Sequence, residues 1–541
     1  MFLKLFNSES KTIFGAAALI GVLSFLSRIV GLIRDRILAG AFGAGDVLDA
    51  YYAAFKLPDL LFSLIVIGSL SASFIPLFTK YYRHRLRRDR AWELTNNTLH
   101  LIGLGMAVIS IVLIIFAQPL AALMAPGFPL YKQTMVAGFM RVTFLAQIIL
   151  AGSVVYGSAL QGMRRFFLYS LAPVLYNVGI IIGAVWLVDI FGPIGLAWGV
   201  VLGAFLHFLV QFYGVLQAGY HYAWVFNWRD SETRQIIRLA GPRMLGVAIS
   251  QVNVVLFTVI ASTLAIGSVT VFQFAYNIQF FTVGIIGVSF AVAAFPLFAE
   301  YLGRNDLKKF ISLFSATIRQ ALFFIVPMMI LFLIVRAQVV RVVVGAGEFD
   351  WAATITTADT LAFFALSFIP QVLVFILARA FFALHDTVTP LVAGVVSALV
   401  GLISAFWLTS IFGVVGLGMA FSLSAFINAL LLWVPLRQRT GSLDEARILL
   451  SFQKFAAAGL VAAVVMQSMK YFVDPFISLD TFWGVFGQGL IAGGLGLAAY
   501  GLILFLVKSE ELHDAINSFR RKILRSSDPE ESISTESPTA S

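Results

Sequence analysis

Runs of about 20 apolar residues follow one another along nearly the whole chain, and that is the length a helix needs to cross a ~30 Å hydrocarbon core. The runs are continuous rather than alternating, which excludes the period-two pattern of a membrane β-barrel. A chain of this kind must satisfy its backbone within each segment, so it reads as an all-α polytopic membrane protein. Of its 541 residues 60% are hydrophobic and only 12% are charged. There is no cysteine, so disulfides and thiolate metal sites are excluded, and the six histidines are scattered without metal-ligand spacing. Neither a metal nor another cofactor is expected. The first run leads into Arg28 rather than a small-residue cleavage site and reads as a retained helix.

Fourteen spans are expected, at about 13–33, 47–79, 97–119, 134–159, 169–190, 194–218, 241–262, 268–299, 310–335, 355–383, 388–410, 414–436, 454–472 and 484–507. Alternate loops are basic. The loop after the second span, KYYRHRLRRDR, holds Lys80, Arg83, Arg85, Arg87, Arg88 and Arg90. Arg164 and Arg165, Arg229 to Arg238, Arg304 to Lys309, and Arg437 to Arg447 follow later even-numbered spans. The intervening loops are nearly free of cations, with Lys132, Arg336 and Arg341 as exceptions. The positive-inside rule then places both termini in the cytoplasm and accounts for the net charge of +10 without a nucleic-acid partner. After Lys508 comes a basic amphipathic stretch, then SSDPEESISTESPTAS, which reads as disordered.

The chain also repeats itself. SASFIPLFTKYY matches AVAAFPLFAEYL, with Pro76 and Pro296 220 residues apart. AVWLVDIFGPIGLAWG matches AFWLTSIFGVVGLGMA at an offset of 221, pairing Trp186 with Trp407 and Phe191-Gly192 with Phe412-Gly413. The expected organisation is a six-helix N-lobe at 1–220, a six-helix C-lobe at 221–440, two extra helices at 441–508 and a cytoplasmic tail at 509–541. Two repeats of like topology suit alternating access by rocking lobes, although duplication alone requires no moving interface.

Charges within the spans are concentrated at the start. The first two spans carry Arg28, Arg34, Asp35, Arg36, Asp49, Lys56 and Asp59. Their repeat mates carry Arg243, then only the neutral Gln251, Asn253, Gln273, Asn277 and Gln279. A charge at mid-helix costs roughly 2.5–3.5 kcal/mol on insertion scales, so these cations need an aqueous cavity, an anionic partner or both. Arginine forks suit phosphate oxygens, so Arg28 and Arg34 are candidates for a phosphate or pyrophosphate head group. The alternative is structural pairing with Asp49 or Asp59, or snorkelling to the interface. Asp35 and Arg36 read as boundary residues. No catalytic constellation is present, and the short outer loops leave no room for a catalytic domain.

SRIVGLIRD at 27–35, AFGAGDVLDAYYAAFKLP at 41–58, APGF at 125–128, GEFD at 347–350 and HDTVTP at 385–390 resemble the MurJ (MviN) family of lipid II flippases. The resemblance implies the fourteen-helix, two-lobed exporter fold. It also implies movement of undecaprenyl-pyrophosphate-linked peptidoglycan precursor from the inner to the outer leaflet of the bacterial cytoplasmic membrane, with cell-wall synthesis enzymes as potential partners beside membrane lipids. Carried over by motif, Arg28, Arg34 and Asp49 match positions the family needs, and Lys56 matches the lysine of its AFKLP motif. Phe62, Ser63, Ile67, Tyr276 and Asn277 stand where relatives commonly carry charges. The expected substrate-binding set is therefore Arg28, Arg34, Asp49 and Lys56, with Gln251, Asn253, Asn277 and Gln279 supplying compensating hydrogen bonds. The same superfold also accommodates flippases of other lipid-linked polysaccharide units and drug exporters, and a non-transporting cell-wall scaffold is a further reading.

Overall fold

The structure, a computed structural model, describes residues 13–64, 74–479 and 481–525. Residues 65–73 of the expected second span, the acidic tail from 526 and the side chain of Arg243 lie outside them. Among the described residues every regular element is helical. The helices are α1 (Ile13–Phe42), α2 (Asp46–Phe62), α3 (Ile75–Tyr82), α4 (Arg88–Ile115), α5 (Ala117–Met124), α6 (Leu130–Gly162), α7 (Phe166–Ile182), α8 (Gly195–Leu216), α9 (Ser231–Ser262) and α10 (Ser268–Gly303). They continue as α11 (Leu307–Ile334), α12 (Arg336–Val343), α13 (Trp351–Leu366), α14 (Phe368–Ala383), α15 (Val388–Phe412), α16 (Val415–Thr440), α17 (Glu445–Val473), α18 (Phe482–Leu506) and α19 (Glu510–Arg525).

Nine helical elements among the described residues are long and apolar enough to cross a membrane, or ten when α13 and α14, bent by 43°, count as one broken span. The expected count of fourteen also included 13–33, 47–79 and 241–262, which fall on charge-bearing or partly undescribed stretches and do not meet that criterion. One of the nine, Phe166–Leu216, has 51 residues. A straight helix of that length would run to about 75 Å, far more than a bilayer. It turns back instead. Gly192 takes φ +69°, and α7 packs on α8 through Gly179 and Gly183 facing Gly203 and Gly199, where a Cβ on any of the four would strike the opposing backbone. Small residues at such a crossing let two backbones approach in lipid.

The repeat persists in local geometry. Gly413, the mate of Gly192, also has positive φ (+57°). Gly195 lies against the carbonyl of Leu187, and Gly416 lies against the carbonyl of Leu408, each 221 residues on. The two copies of the motif therefore make the same turn.

Packing divides the chain into two units. The first comprises Met1–Phe281, Arg336–Ser367 and Thr387–Asn428, and the second Thr282–Val335, Phe368–Asp386 and Ala429–Ser541. The first has an aromatic core in which Phe78 stacks on Phe74 and Tyr82, and Trp92 meets Tyr220 edge-on. In the second, Phe298, Phe310 and Phe314 are fully buried and in mutual ring contact, and Arg319 of α11 holds Glu511 of α19 at 2.5 Å. The three exceptions to the basic-loop pattern are each held by protein acceptors. Lys132 binds Asp46 and Asp49, Arg336 binds Asp359, and Arg341 donates to the Phe349 carbonyl.

Candidate substrate site

The charges of α1 and α2 lie in the first unit, and Asp46, Asp49, Arg34, Asp35 and Lys56 among them form two separate arrangements. The first is a closed knot at the start of α2. Lys132, at the start of α6, is 1% exposed, and its Nζ donates to Asp46 Oδ1 at 2.7 Å and Asp49 Oδ2 at 2.8 Å. Asp49 is also 1% exposed and accepts three further bonds: from the Gly267 N–H at 2.7 Å, the Thr270 N–H at 2.9 Å and the Thr270 hydroxyl at 2.8 Å. A carboxylate offers about four lone-pair sites, so this one is saturated. Gly267 is required where it stands: its φ is +88°, and a Cβ would strike the Ala44 carbonyl. Both aspartates sit in the first turn of α2, where the helix dipole favours negative charge. Asp49 and Thr270 are 221 residues apart, the repeat offset, so the two copies of the repeat meet here through equivalent positions.

The second arrangement is an open chain of hydrogen bonds running across α2, α10, α1 and α7. Lys56 Nζ donates to Gln273 Oε1. Gln273 Nε2 donates to Asn277 Oδ1 at 2.7 Å, and Asn277 Nδ2 donates to Asp35 Oδ2 at 3.1 Å. The other oxygen of Asp35 accepts from Arg34 Nε at 3.0 Å and Nη2 at 2.7 Å. Arg34 Nη1 then donates to Asn177 Oδ1 at 2.9 Å, and Asn177 passes a bond to the Pro173 carbonyl at 3.0 Å. Asp35 is not the boundary residue expected from the sequence. It is 3% exposed and is the hub of the chain, because its neighbour Arg34 and the α10 amide both reach it.

Arg28 stands apart. Its guanidinium lies 5.7 Å from the Phe281 ring and makes one hydrogen bond, at 3.3 Å, to the Phe281 carbonyl. Gln147 reaches Asp59 at 3.4 Å, and Gln251 reaches Ser63 at 3.5 Å. Arg36 leaves this region and donates to the carbonyls of Arg341 (3.1 Å) and Val342 (2.6 Å), fastening the end of α1 to α12. Gln279 is fully buried on α10. Asn253 lines an apolar cavity with Val252, Leu256, Val395 and Leu399, and its Oδ1 has no partner.

Of the eight expected site residues, the hydrogen-bonded chain joins Arg34, Lys56 and Asn277, and Arg28 reaches the same two helices, α1 and α10. Asp49 belongs to the knot, while Gln251, Asn253 and Gln279 lie outside the chain. Lys132, Asn177, Gln273 and Thr270 were not singled out as site residues. The signal for Lys132 was present, since it is a lone cation on an otherwise cation-poor loop. Among the described residues Arg34 pairs with Asp35, the Lys56 ammonium and the Asp59 carboxylate attract each other, and Arg28 has no carboxylate within ion-pair distance.

This helical architecture, with a repeated turn motif and a hydrogen-bonded polar chain across α2, α10, α1 and α7, has the fold of known membrane transporters. An inward-facing multidrug resistance MATE family transporter of the MOP superfamily matches 79% of the chain with a TM-score of 0.61 at 15% identity, covering 99% of that structure. The lipid II flippase MurJ in an inward closed conformation matches 91% of the chain and 98% of that structure, with a TM-score of 0.72 at 22% identity. The family model described as lipid II flippase MurJ matches residues 38–487, and the chain belongs to that family. Among its relatives are the probable lipid II flippases MurJ of Buchnera aphidicola subsp. Baizongia pistaciae, 25% identical over 93% of this chain and 98% of the relative, and of Vibrio cholerae, 25% identical over 92% and 97%. The lipid II flippase MurJ of Burkholderia cenocepacia is 27% identical over 84% of this chain and 90% of its own length.

Proposed function

We propose that this protein is a lipid II flippase of peptidoglycan biosynthesis, moving the undecaprenyl-pyrophosphate-linked precursor from the inner to the outer leaflet by alternating access, as a carrier with no catalytic step. The observation that carries the site assignment is Arg28, a half-buried cation on α1 that makes one hydrogen bond among the described residues and so has donors of its fork left for a ligand. Arg28 is the primary pyrophosphate contact in this reading. Arg34 and Lys56 supply field, held in place by Asp35, Asn277 and Gln273. Gln251 and Asn253 supply sugar and peptide hydrogen bonds in this reading, and Asp49 acts by positioning α2. The distribution of basic loops supports a cytoplasmic-membrane protein with both termini in the cytoplasm. The repeat supports an N-lobe at 1–220 and a C-lobe at 221–440, with 441–508 and the tail appended. Cell-wall synthesis enzymes are natural partners for a carrier that delivers their substrate.

The test is rescue of a flippase-depleted bacterium together with precursor translocation in proteoliposomes. Rescue by the wild type, and its loss in Arg28→Ala at unchanged protein level, supports the reading. Translocation unaffected by Arg28→Ala overturns the site assignment.

A further inference from the structure

The segment after α8 contains an aromatic pattern outside the proposed substrate site. Tyr222, Trp224, Phe226 and Trp228 alternate with other residues, and all four are exposed, at 59%, 75%, 47% and 56%. Four large exposed rings in a row are unusual unless a surface covers them. The segment from 220 to 227 has no helix or turn of its own, and side chains two apart in an extended segment fall on one side.

It is nevertheless tightly held, by a ladder of side chains on one face of α4. Asn96 accepts from the Tyr220 hydroxyl at 2.5 Å and donates to the His221 carbonyl at 3.1 Å. Asn97 pairs with the backbone of Asn227 in both directions, accepting from its N–H at 2.7 Å and donating to its carbonyl at 2.9 Å. His100 Nδ1 lies 2.8 Å from the Val225 carbonyl, which can only accept, so that nitrogen carries the proton. Its Nε2, at 3.0 Å, takes the Tyr222 hydroxyl. The Trp224 ring packs on the His100 ring with centroids 4.5 Å apart.

The position of the ladder on α4 identifies the covering surface. Counting on from His100 by helical turns gives Leu104, Val108, Ile111 and Ile115, all exposed (53%, 53%, 54% and 68%), and these form the lipid-facing stripe of a membrane-spanning helix. The rings therefore sit at one end of that stripe. Tyrosine and tryptophan are favoured at the boundary between hydrocarbon and head groups. The guanidiniums of Arg229 and Arg234 lie over the Trp228 ring at 5.2 and 6.0 Å, placing cations beside the rings.

We propose that residues 220–228 form an interfacial anchor, an aromatic strap laid across α4 whose rings insert into the phospholipid head-group layer and fix the depth of the N-terminal helices. The proposal is independent of the transported substrate. The experiment uses the full-length protein in phosphatidylcholine liposomes containing lipids spin-labelled near the head group or deep in the acyl chain, with iodide as the aqueous quencher. The fluorescence component lost in Trp224→Phe is expected to be quenched at least about twofold more by the shallow label than by the deep one, and to be shielded from iodide. In Asn97→Ala/His100→Ala, with helicity and size-exclusion profile retained, that component should become open to iodide. Iodide access in the intact protein with no response to either label would overturn the proposal and assign the rings to water or a protein partner. An unchanged component in the double variant would overturn the role of the ladder.

Discussion

Asp49 and Asp35 lie on adjacent helices of one unit, both almost fully buried, yet they serve opposite ends. Asp49 accepts four bonds from three residues and is closed to anything else. Asp35 is a link in an open chain that ends at Lys56 on one side and Asn177 on the other. A buried ion pair with every valence filled has no bond left to offer a ligand, so the knot holds helices together. The neutral link of the open chain, from Gln273 to Asn277, can break and re-form at little cost, because such a bond contributes only about 0.5–1.5 kcal/mol net. The comparison teaches that burial of charge is not by itself the mark of the binding site. In the proposed reading the mark is a cation with donors left over, and Arg28, with one hydrogen bond among the described residues, is such a cation.

The sharpest way to break this comparison is Lys132→Met. It strands Asp49 in the interior, and breaking one side of a buried pair costs about 3–5 kcal/mol. The expected outcome is a large fall in thermal stability in detergent and in folded yield, with Asp49→Asn/Lys132→Met recovering much of it. If Lys132→Met melts with the wild type, the knot is not structural and the distinction fails. Arg28→Ala should do the reverse. Losing a charge-assisted contact of about 1.5–3 kcal/mol lowers precursor affinity by about 10- to 100-fold while stability stays near wild type. A loss of stability with affinity retained would make Arg28 part of the scaffold. Asn277→Ala breaks the chain in the middle, removing the bond from Gln273 and the bond to the Asp35 carboxylate, and should lower affinity less than Arg28→Ala does, since it acts only through the orientation of Asp35 and Arg34.

How far these two regions could be read from the sequence follows from how they are built. Apolar runs, loop charges and the offset of 221 residues are local or periodic, so the helical class, the repeat and the cationic start of the chain were legible. The turns at Gly192 and Gly413 were visible too, as paired FG steps. The partners were not. The knot joins residues 46, 49, 132, 267 and 270, and no sequence period brings position 132 to the other four. The same holds for Asn177 and Asp35, which meet through Arg34 only because α7 packs along α1. An arginine beside an aspartate in a membrane helix also has several staggered choices, and the packed neighbours select among them.

A third cluster bounds the comparison from the solvent side. Arg90, at the start of α4, binds Asp230, and it binds Glu232 at 2.7 Å, while the Tyr81 hydroxyl donates to Glu232 at 2.5 Å. The Tyr81 hydroxyl bond, aided by Arg90 and opposed by partial burial, holds the Glu232 carboxyl down at about 2. The folded value lies below the unfolded one, near 4.3, so the stabilisation is fully present above that range. It is lost as pH falls from there towards about 2, when the carboxylate takes up a proton and the tyrosine and arginine lose their acceptor. With the side chain 19% exposed, the loss should be small, on the order of 1 kcal/mol. Melting temperature followed from pH 6 to pH 3 should therefore fall less in Glu232→Gln than in the wild type, and that difference should shrink in high salt. If instead Glu232→Gln leaves the pH profile untouched, the Tyr81 and Arg90 contacts do not couple the Glu232 carboxylate to stability.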